Sequence, residues 1–235
     1  MIIKKISIII PCFNEEKTIK KVIEKVKQYN KYEVEIIIVN DGSTDGSNKI
    51  LEDIKEKNIK ILNHKINSGK GKAIQTGLRV VSGDIVIIQD ADLEYDPNDL
   101  IALLEPVRQG NADAVVGTRW GPHHPLQGLR PRLHRLINGL LTVLSNWLTG
   151  LDLTDMECCQ KLLTIPTLRK VRPHLTEDRF GVEPQLIAAL AAHQVRMAEV
   201  PVSYEPRSMD EGKKIGWQDG VRALLVIARG IRRPT

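Results

Sequence analysis

The stretch Ile85-Val-Ile-Ile-Gln-Asp90-Ala-Asp92-Leu-Glu94 sets four β-branched residues before three carboxylates at alternate positions. A short run of this kind, bounded by turn formers, reads as a strand buried on both faces of a parallel sheet. Two more runs share the form. Ile6-Ser-Ile-Ile-Ile10 leads into Pro11-Cys-Phe-Asn-Glu15, and Val34-Glu-Ile-Ile-Ile-Val39 into Asn40-Asp41-Gly-Ser-Thr-Asp45. Between these two, Ile19, Val22, Ile23 and Val26 recur at helical spacing within residues 15–29, with Asn14 as the candidate cap. The alternation continues with a helix over 43–57, a strand over 59–62, a helix over 71–81, a strand over 85–89, a helix over 98–109 and a strand over 112–117. This order predicts an α/β fold, a mostly parallel central sheet flanked by helices and joined by right-handed crossovers.

Beyond Gly117 the pattern changes. Residues 120–128 are dense in turn formers, residues 133–151 form an apolar helical segment, and a further helix is expected over 186–192. An edge strand over 195–202 and an amphipathic helix over 216–231 follow. The 235 residues, 42% apolar and 27% charged, suit one domain and exclude wholesale disorder. Lys and Arg number 34 against 29 Asp and Glu, and the excess is uneven: 17 against 18 over residues 1–118, but 17 against 11 over 119–235. A basic second half implies an anionic partner. No stretch reaches 18 uninterrupted apolar residues, so no transmembrane helix is expected, and Met1-Ile-Ile-Lys-Lys-Ile lacks a signal-peptide pattern. Cys12, Cys158 and Cys159 read as reduced thiols in a cytosolic setting rather than a disulfide framework.

In open α/β sheets, ligands gather beyond the carboxyl ends of the strands. Any one Asp or Asn there is ordinarily a helix cap, but three such clusters on one sheet edge point to a ligand site. Asp90 and Asp92, with Glu94 continuing the alternation, suit Mg²⁺ or Mn²⁺, hard ions that prefer oxygen and bridge to phosphate. Asn67-Ser-Gly-Lys-Gly-Lys72 is no Walker loop, because Ala73 follows Lys72 where Ser or Thr is required. Lys70 and Lys72 read as ordinary surface side chains about as readily as part of a loop and helix start beside a bound ligand. Nucleic-acid binding finds little support, with aromatics at 4% and no recognition motif.

Together, Ile9-Ile-Pro-Cys-Phe-Asn-Glu-Glu16, Val39-Asn-Asp-Gly-Ser-Thr-Asp-Gly46 and Asp90-Ala-Asp-Leu-Glu-Tyr-Asp-Pro97 resemble the family 2 inverting glycosyltransferases with a GT-A fold. Gly117-Thr-Arg119, Glu205-Pro-Arg207 and the segment around Lys213 look like the branch of polyprenol-phosphate hexosyltransferases, typified by dolichol-phosphate mannose synthases. The resemblance implies one catalytic domain over 1–235, with a nucleotide-sugar and metal half over 1–118 and an acceptor-side region over 119–235. Pro11, Phe13, Glu15, Val39 and Asp41 would then line the base and ribose, with Asp90 and Ala91 approaching the ribose and diphosphate. Asp92 would take the metal, with Asp90 and Glu94 beside it. Arg119, Arg207 and Lys213 would join Asp92 in catalysis by stabilising the departing diphosphate.

The reaction so implied is an Mg²⁺- or Mn²⁺-dependent transfer of a hexose to a polyprenyl or dolichyl phosphate. GDP-mannose is the preferred donor and UDP-glucose the next. A lipid phosphate is already anionic near neutral pH and needs no general base. If a sugar hydroxyl were the acceptor instead, Asp155 or the pair Glu177-Asp178 would be the candidate bases. Arg130-Pro-Arg-Leu-His-Arg135, running into an apolar segment that contains Trp147, reads equally as an interfacial helix or a core helix. The interfacial reading places the chain peripherally at the cytoplasmic face of a membrane, or beside a membrane partner subunit that presents the lipid.

Overall fold

Strands form where the β-branched runs predict them. In the computed structural model, which describes residues 2–28, 31–120, 129–207 and 217–230 (backbone alone at 129–134 and 217), seven strands make one sheet. β1 (Lys5–Cys12) lies between β2 (Glu33–Asn40) and β4 (Ile85–Ile88), parallel to both, and β3 (Ile59–Asn63) extends the sheet beyond β2. Ile8 to Ile10, Ile36 to Val39 and Ile85 to Ile88 are all buried, as strands covered on both faces require. Helices α1 (Ile19–Val26), α2 (Ser47–Glu52), α3 (Lys70–Gly77) and α4 (Leu100–Arg108) alternate with them.

The second half completes the sheet in a way that the residue pattern did not announce. β5 (Ala114–Thr118) does not pair with β4; β6 (Lys161–Thr164) inserts between them, antiparallel to both. β7 (Met197–Pro201) closes the far edge parallel to β5, giving the order β3-β2-β1-β4-β6-β5-β7. α5 (Leu129–Thr149), α6 (Ile165–Val171), α7 (Val182–Ala192) and α8 (Trp217–Arg229) belong to this half.

This register decides where the chemistry sits. Cys12 pairs with Asn40, and Ile9 with Ile88, so residues 11–15, 40–45 and 89–94 leave the sheet side by side. β5 and β7 run the same way as β4, which brings Arg119 and Arg207 to that edge. β6 runs oppositely, so its first residue, Lys161, and the segment before it also lie there.

Several expected boundaries shift. The helix expected over 15–29 begins at Ile19, and Asn14 does not cap it: at φ 51° its side chain accepts a hydrogen bond from the Thr44 amide at 2.7 Å, tying two loops together. The helix over 43–57 shortens to Ser47–Glu52, because Ser43, Asp45 and Ser47 spend their groups on neighbouring loops. The expected edge strand is Met197–Pro201 and the last helix Trp217–Arg229.

One buried acid staples β1, β2 and the turn before β4. Glu35 accepts hydrogen bonds from Ser7 Oγ (2.5 Å), the Ser82 amide (2.5 Å) and hydroxyl (2.7 Å), and Lys60 Nζ (3.1 Å). Burial pushes its carboxyl up, but those donors outweigh burial and hold it down at about 2. A depressed folded pKa gives stability that is full above the unfolded value, near 4.5, and is lost as pH falls towards about 2. Glu35→Gln is expected to cost about 2 kcal/mol at pH 7. Urea unfolding from pH 7 to pH 2 should show that difference shrinking below pH 4.5; a constant gap would contradict the assignment.

Candidate active site

The segments leaving the sheet edge wall a cavity of about 850 Å³. Pro11, Phe13, Glu15, Asp41, Asp90, Ala91, Asp92, Glu94, Arg119 and Arg207 all line it, so ten of the positions singled out from sequence meet in one space. Val39 does not line it: the side chain is wholly buried in β2, opposite Pro11. Lys213 lies outside the described residues.

The turn after β4 carries the densest charge. Leu93 adopts φ 63°, unfavourable for a branched side chain, and the Glu94 amide donates to Asp92 Oδ1 at 3.0 Å. This tight turn gathers the acids. Arg207 spans them: Nη1 and Nη2 meet the two oxygens of Glu15 at 3.0 and 3.1 Å, and Nη2 also meets Asp92 Oδ2 at 3.1 Å. Its Nε sits 3.6 Å from Glu94, buried and without a hydrogen-bond partner among the described residues. Burial, then the charges of Asp90 and Glu94, push the Asp92 carboxyl up to about 7 in spite of Arg207.

An all-oxygen donor set carrying that much uncompensated negative charge fits a hard divalent ion. Asp92 is the residue best placed to hold one, with Glu94 next to it. Among the described residues no cluster of three or more His, Cys, Asp or Glu forms a ready cage. Ions such as Mg²⁺ are bound through one or two carboxylates plus substrate phosphates. Asp90 is engaged elsewhere: Lys70 Nζ holds its oxygens at 2.9 and 3.1 Å, and Lys70 in turn lies 3.4 Å from Glu183. Glu183 reaches Lys161 at 2.5 Å, so four charges of alternating sign run along the floor of the site.

Lys70 is therefore no surface side chain. The glycines around it explain the Asn67–Lys72 motif. Gly69, at φ 99°, donates its amide to Asp41 Oδ2 at 2.7 Å, and a Cβ at Gly69 or Gly71 would collide with the backbone carbonyls of residues 177–178. The motif is a close backbone crossing that aims one lysine inward. Lys72 stays at the surface, 3.6 Å from Asp178.

The sequence reading missed Glu157, Glu183, Tyr95 and Tyr204, which also line the cavity. Glu183 carries a signal, the lone acid in a Val182–Ala192 helix whose other residues are apolar except Gln185. The candidate bases fare differently. Asp155 is fully buried and forms a two-point pair with Arg119, at 2.6 Å from both Nε and Nη2. Glu177 is bound to Arg222 at 2.8 and 3.0 Å, and Asp178 is exposed beside Lys72. None of the three lines the cavity. Arg119 also stacks 5.0 Å from the Trp120 ring centre and 5.2 Å from that of Tyr204.

Comparison with known proteins follows the same lines. The glycosyl transferase family 2 model matches residues 7–159. A UDP-N-acetylglucosamine–dolichyl-phosphate N-acetylglucosaminyltransferase of Methanococcus voltae is 28% identical, over 95% of this chain and 96% of its own. A dolichyl-phosphate beta-glucosyltransferase of Trichomonas vaginalis is 27% identical, over 85% of this chain and 65% of its own. Glucosyl-3-phosphoglycerate synthase from Mycobacterium tuberculosis, solved with Mn²⁺, UDP and phosphoglyceric acid, superposes with TM-score 0.70 at 19% identity, over 96% of this chain and 78% of its own. The fold is thus the GT-A arrangement that the motifs implied.

Asp155→Ala is expected to destabilise the protein by about 3–5 kcal/mol, since it strands the buried Arg119 charge. Chemical denaturation measures this; unchanged stability with a selective loss of turnover would restore Asp155 as a base.

Proposed function

Because the chain belongs to glycosyl transferase family 2, we propose that this cavity transfers a hexose from a uridine diphosphate sugar to a polyprenyl or dolichyl phosphate. The observation that carries the reading is the two-ended character of the cavity. One end holds Glu15, Asp92, Glu94 and Arg207; the other is walled by Ile137 and Leu141 of α5 and by Val221 and Leu224 of α8. Outside that apolar end, Leu136, Leu140, Val143 and Trp147 are 60–78% exposed on α5, and Leu225 is exposed on α8. The α5 segment is thus half core, through Asn138, Leu141, Thr142 and Ser145, and half open apolar surface. Such a face suits a lipid surface, from which an isoprenoid phosphate enters the cavity head first. No helix among the described residues is long and apolar enough to cross a membrane, which is consistent with peripheral attachment, at the cytoplasmic face in our reading.

The donor reading rests on the relatives. Neither dolichyl-phosphate relative carries GDP-mannose in its name, and the Methanococcus enzyme is named for UDP-N-acetylglucosamine. UDP-N-acetylglucosamine and UDP-glucose therefore come before GDP-mannose, the donor favoured by the motifs alone. A divalent ion held by Asp92, as the Mn²⁺ and UDP bound by the mycobacterial structure suggest, would neutralise the diphosphate as it departs. Arg207 would swing from Asp92 to that diphosphate, and Arg119, held in place by Asp155, would keep a fixed positive charge at the wall. The acceptor phosphate oxygen attacks C1, the bond from C1 to the β-phosphate oxygen breaks, and UDP leaves with that electron pair. No proton has to be removed, and among the described lining residues there is no histidine. In this reading residues 1–118 supply the donor end and residues 119–235 most of the acceptor end of one catalytic domain.

Purified protein with Mn²⁺ and UDP-N-acetylglucosamine or UDP-glucose should glycosylate a polyprenyl phosphate embedded in anionic vesicles. Leu140→Glu with Val143→Glu should cut that rate about tenfold or more, by removing buried apolar area from the lipid contact. The same pair should leave transfer to a short water-soluble prenyl phosphate intact. Transfer to a sugar hydroxyl but to neither prenyl phosphate would overturn the acceptor, and turnover with GDP-mannose alone would overturn the donor.

A further inference from the structure

The floor of the cavity holds one acid for which the transfer chemistry has no use. Glu157, on the segment that leads into β6, is half-buried and lines the same cavity as Asp90, Arg119 and Glu183. Its Oε1 is buried with no hydrogen-bond partner among the described residues, whereas Oε1 of Glu183 has the Lys70 ammonium 3.4 Å away. Buried acceptors in a folded protein are almost always satisfied, so an unpartnered carboxylate oxygen on a cavity wall marks a place where a donor arrives with a ligand. The neighbouring cations are engaged elsewhere. Arg119 is paired with Asp155, and Lys161 with Glu183 and the Cys158 carbonyl.

The position follows from the ion chain. Lys70 links Asp90 to Glu183, so the Glu157 and Glu183 wall lies one side chain beyond the carboxylates at the diphosphate end. An acidic wall repels a phosphate, whether of donor or of acceptor, and welcomes neutral hydroxyls. We propose that Glu157, with Glu183 beside it, accepts hydrogen bonds from hydroxyls of the donor's hexose and so decides which sugar the site takes. Burial, reinforced by the charge of Glu183, raises the Glu157 carboxyl to about 7; hydroxyl donors are what this group lacks.

The inference rests on reading the cavity as a nucleotide-sugar site, and the test separates the two. Calorimetry on the full chain with Mn²⁺ compares UDP with UDP-glucose and UDP-N-acetylglucosamine, for wild type, Glu157→Ala and Glu157→Gln. The alanine variant should leave the Kd for UDP within about twofold and raise that for the preferred UDP-sugar about ten- to a hundredfold, the range of a hydrogen bond to a charged group. Glu157→Gln keeps the volume and one acceptor oxygen, so it should fold and show a smaller penalty of the same sign. Unchanged UDP-sugar binding in both variants, or equal weakening of UDP and UDP-sugar, overturns the inference. If the wild type binds GDP and not UDP, the uridine reading fails, and the same comparison of GDP with GDP-mannose decides the role of Glu157. Binding of neither pair overturns both.

Discussion

Three carboxylates at one end of the cavity, Glu15 from the turn after β1 and Asp92 and Glu94 from the turn after β4, are all shielded from solvent, with side-chain exposures of 7–17%. Their mutual repulsion is offset by one guanidinium. Arg207 reaches them from the segment after β7, 192 residues along the chain from Glu15, and ties that segment to the turns after β1 and β4. The neutralisation is incomplete, since the Asp92 carboxyl is still pushed up to about 7. The site thus retains an appetite for positive charge, which a divalent ion meets. Arg207, with its Nε lacking a hydrogen-bond partner among the described residues, retains a donor for an anion. These complementary deficits are what a metal diphosphate supplies at once.

Below that cluster, charges alternate from Asp90 through Lys70 and Glu183 to Lys161. Removing one member of such a line from a dry interior leaves its neighbour uncompensated, which is costly. The arrangement requires a strand whose first residue points to the ligand edge from the opposite direction. The antiparallel β6 supplies it: Lys161 pairs with Ile88 in the sheet and carries the final charge of the line. The departure from an all-parallel sheet therefore belongs to the site, since it brings the 155–160 segment, with Asp155 and Glu157, beside Arg119.

Legibility from sequence divides along the same boundary. Strands β1, β2 and β4 are apolar runs ended by polar turns, a local signal, and their carboxyl-end residues converge as their order implies. β6 is four residues long and opens on a lysine, so no periodicity marks it. Lys70 is hidden in the same way: only the crossing of Gly69 and Gly71 beneath residues 177–178 turns an apparently ordinary surface lysine inward. The pairs Arg207 with Glu15 and Lys161 with Glu183 join distant segments, and nothing in the local pattern around either member announces its partner. The end of α1 nearest the site shows the reverse error, for Asn14 has the chemistry of a helix cap and spends it on the Thr44 amide instead.

The central claim is that Asp92 exchanges Arg207 for a divalent ion when a nucleotide diphosphate binds. A crystal structure of the full chain with UDP and Mn²⁺, with the metal located by its anomalous scattering, addresses this directly. The claim predicts Mn²⁺ bonded to an Asp92 oxygen and to the diphosphate, with the Arg207 guanidinium moved from Asp92 onto a phosphate oxygen. Mn²⁺ and UDP bound with the Arg207–Asp92 pair intact, or bound away from Asp92, would contradict it.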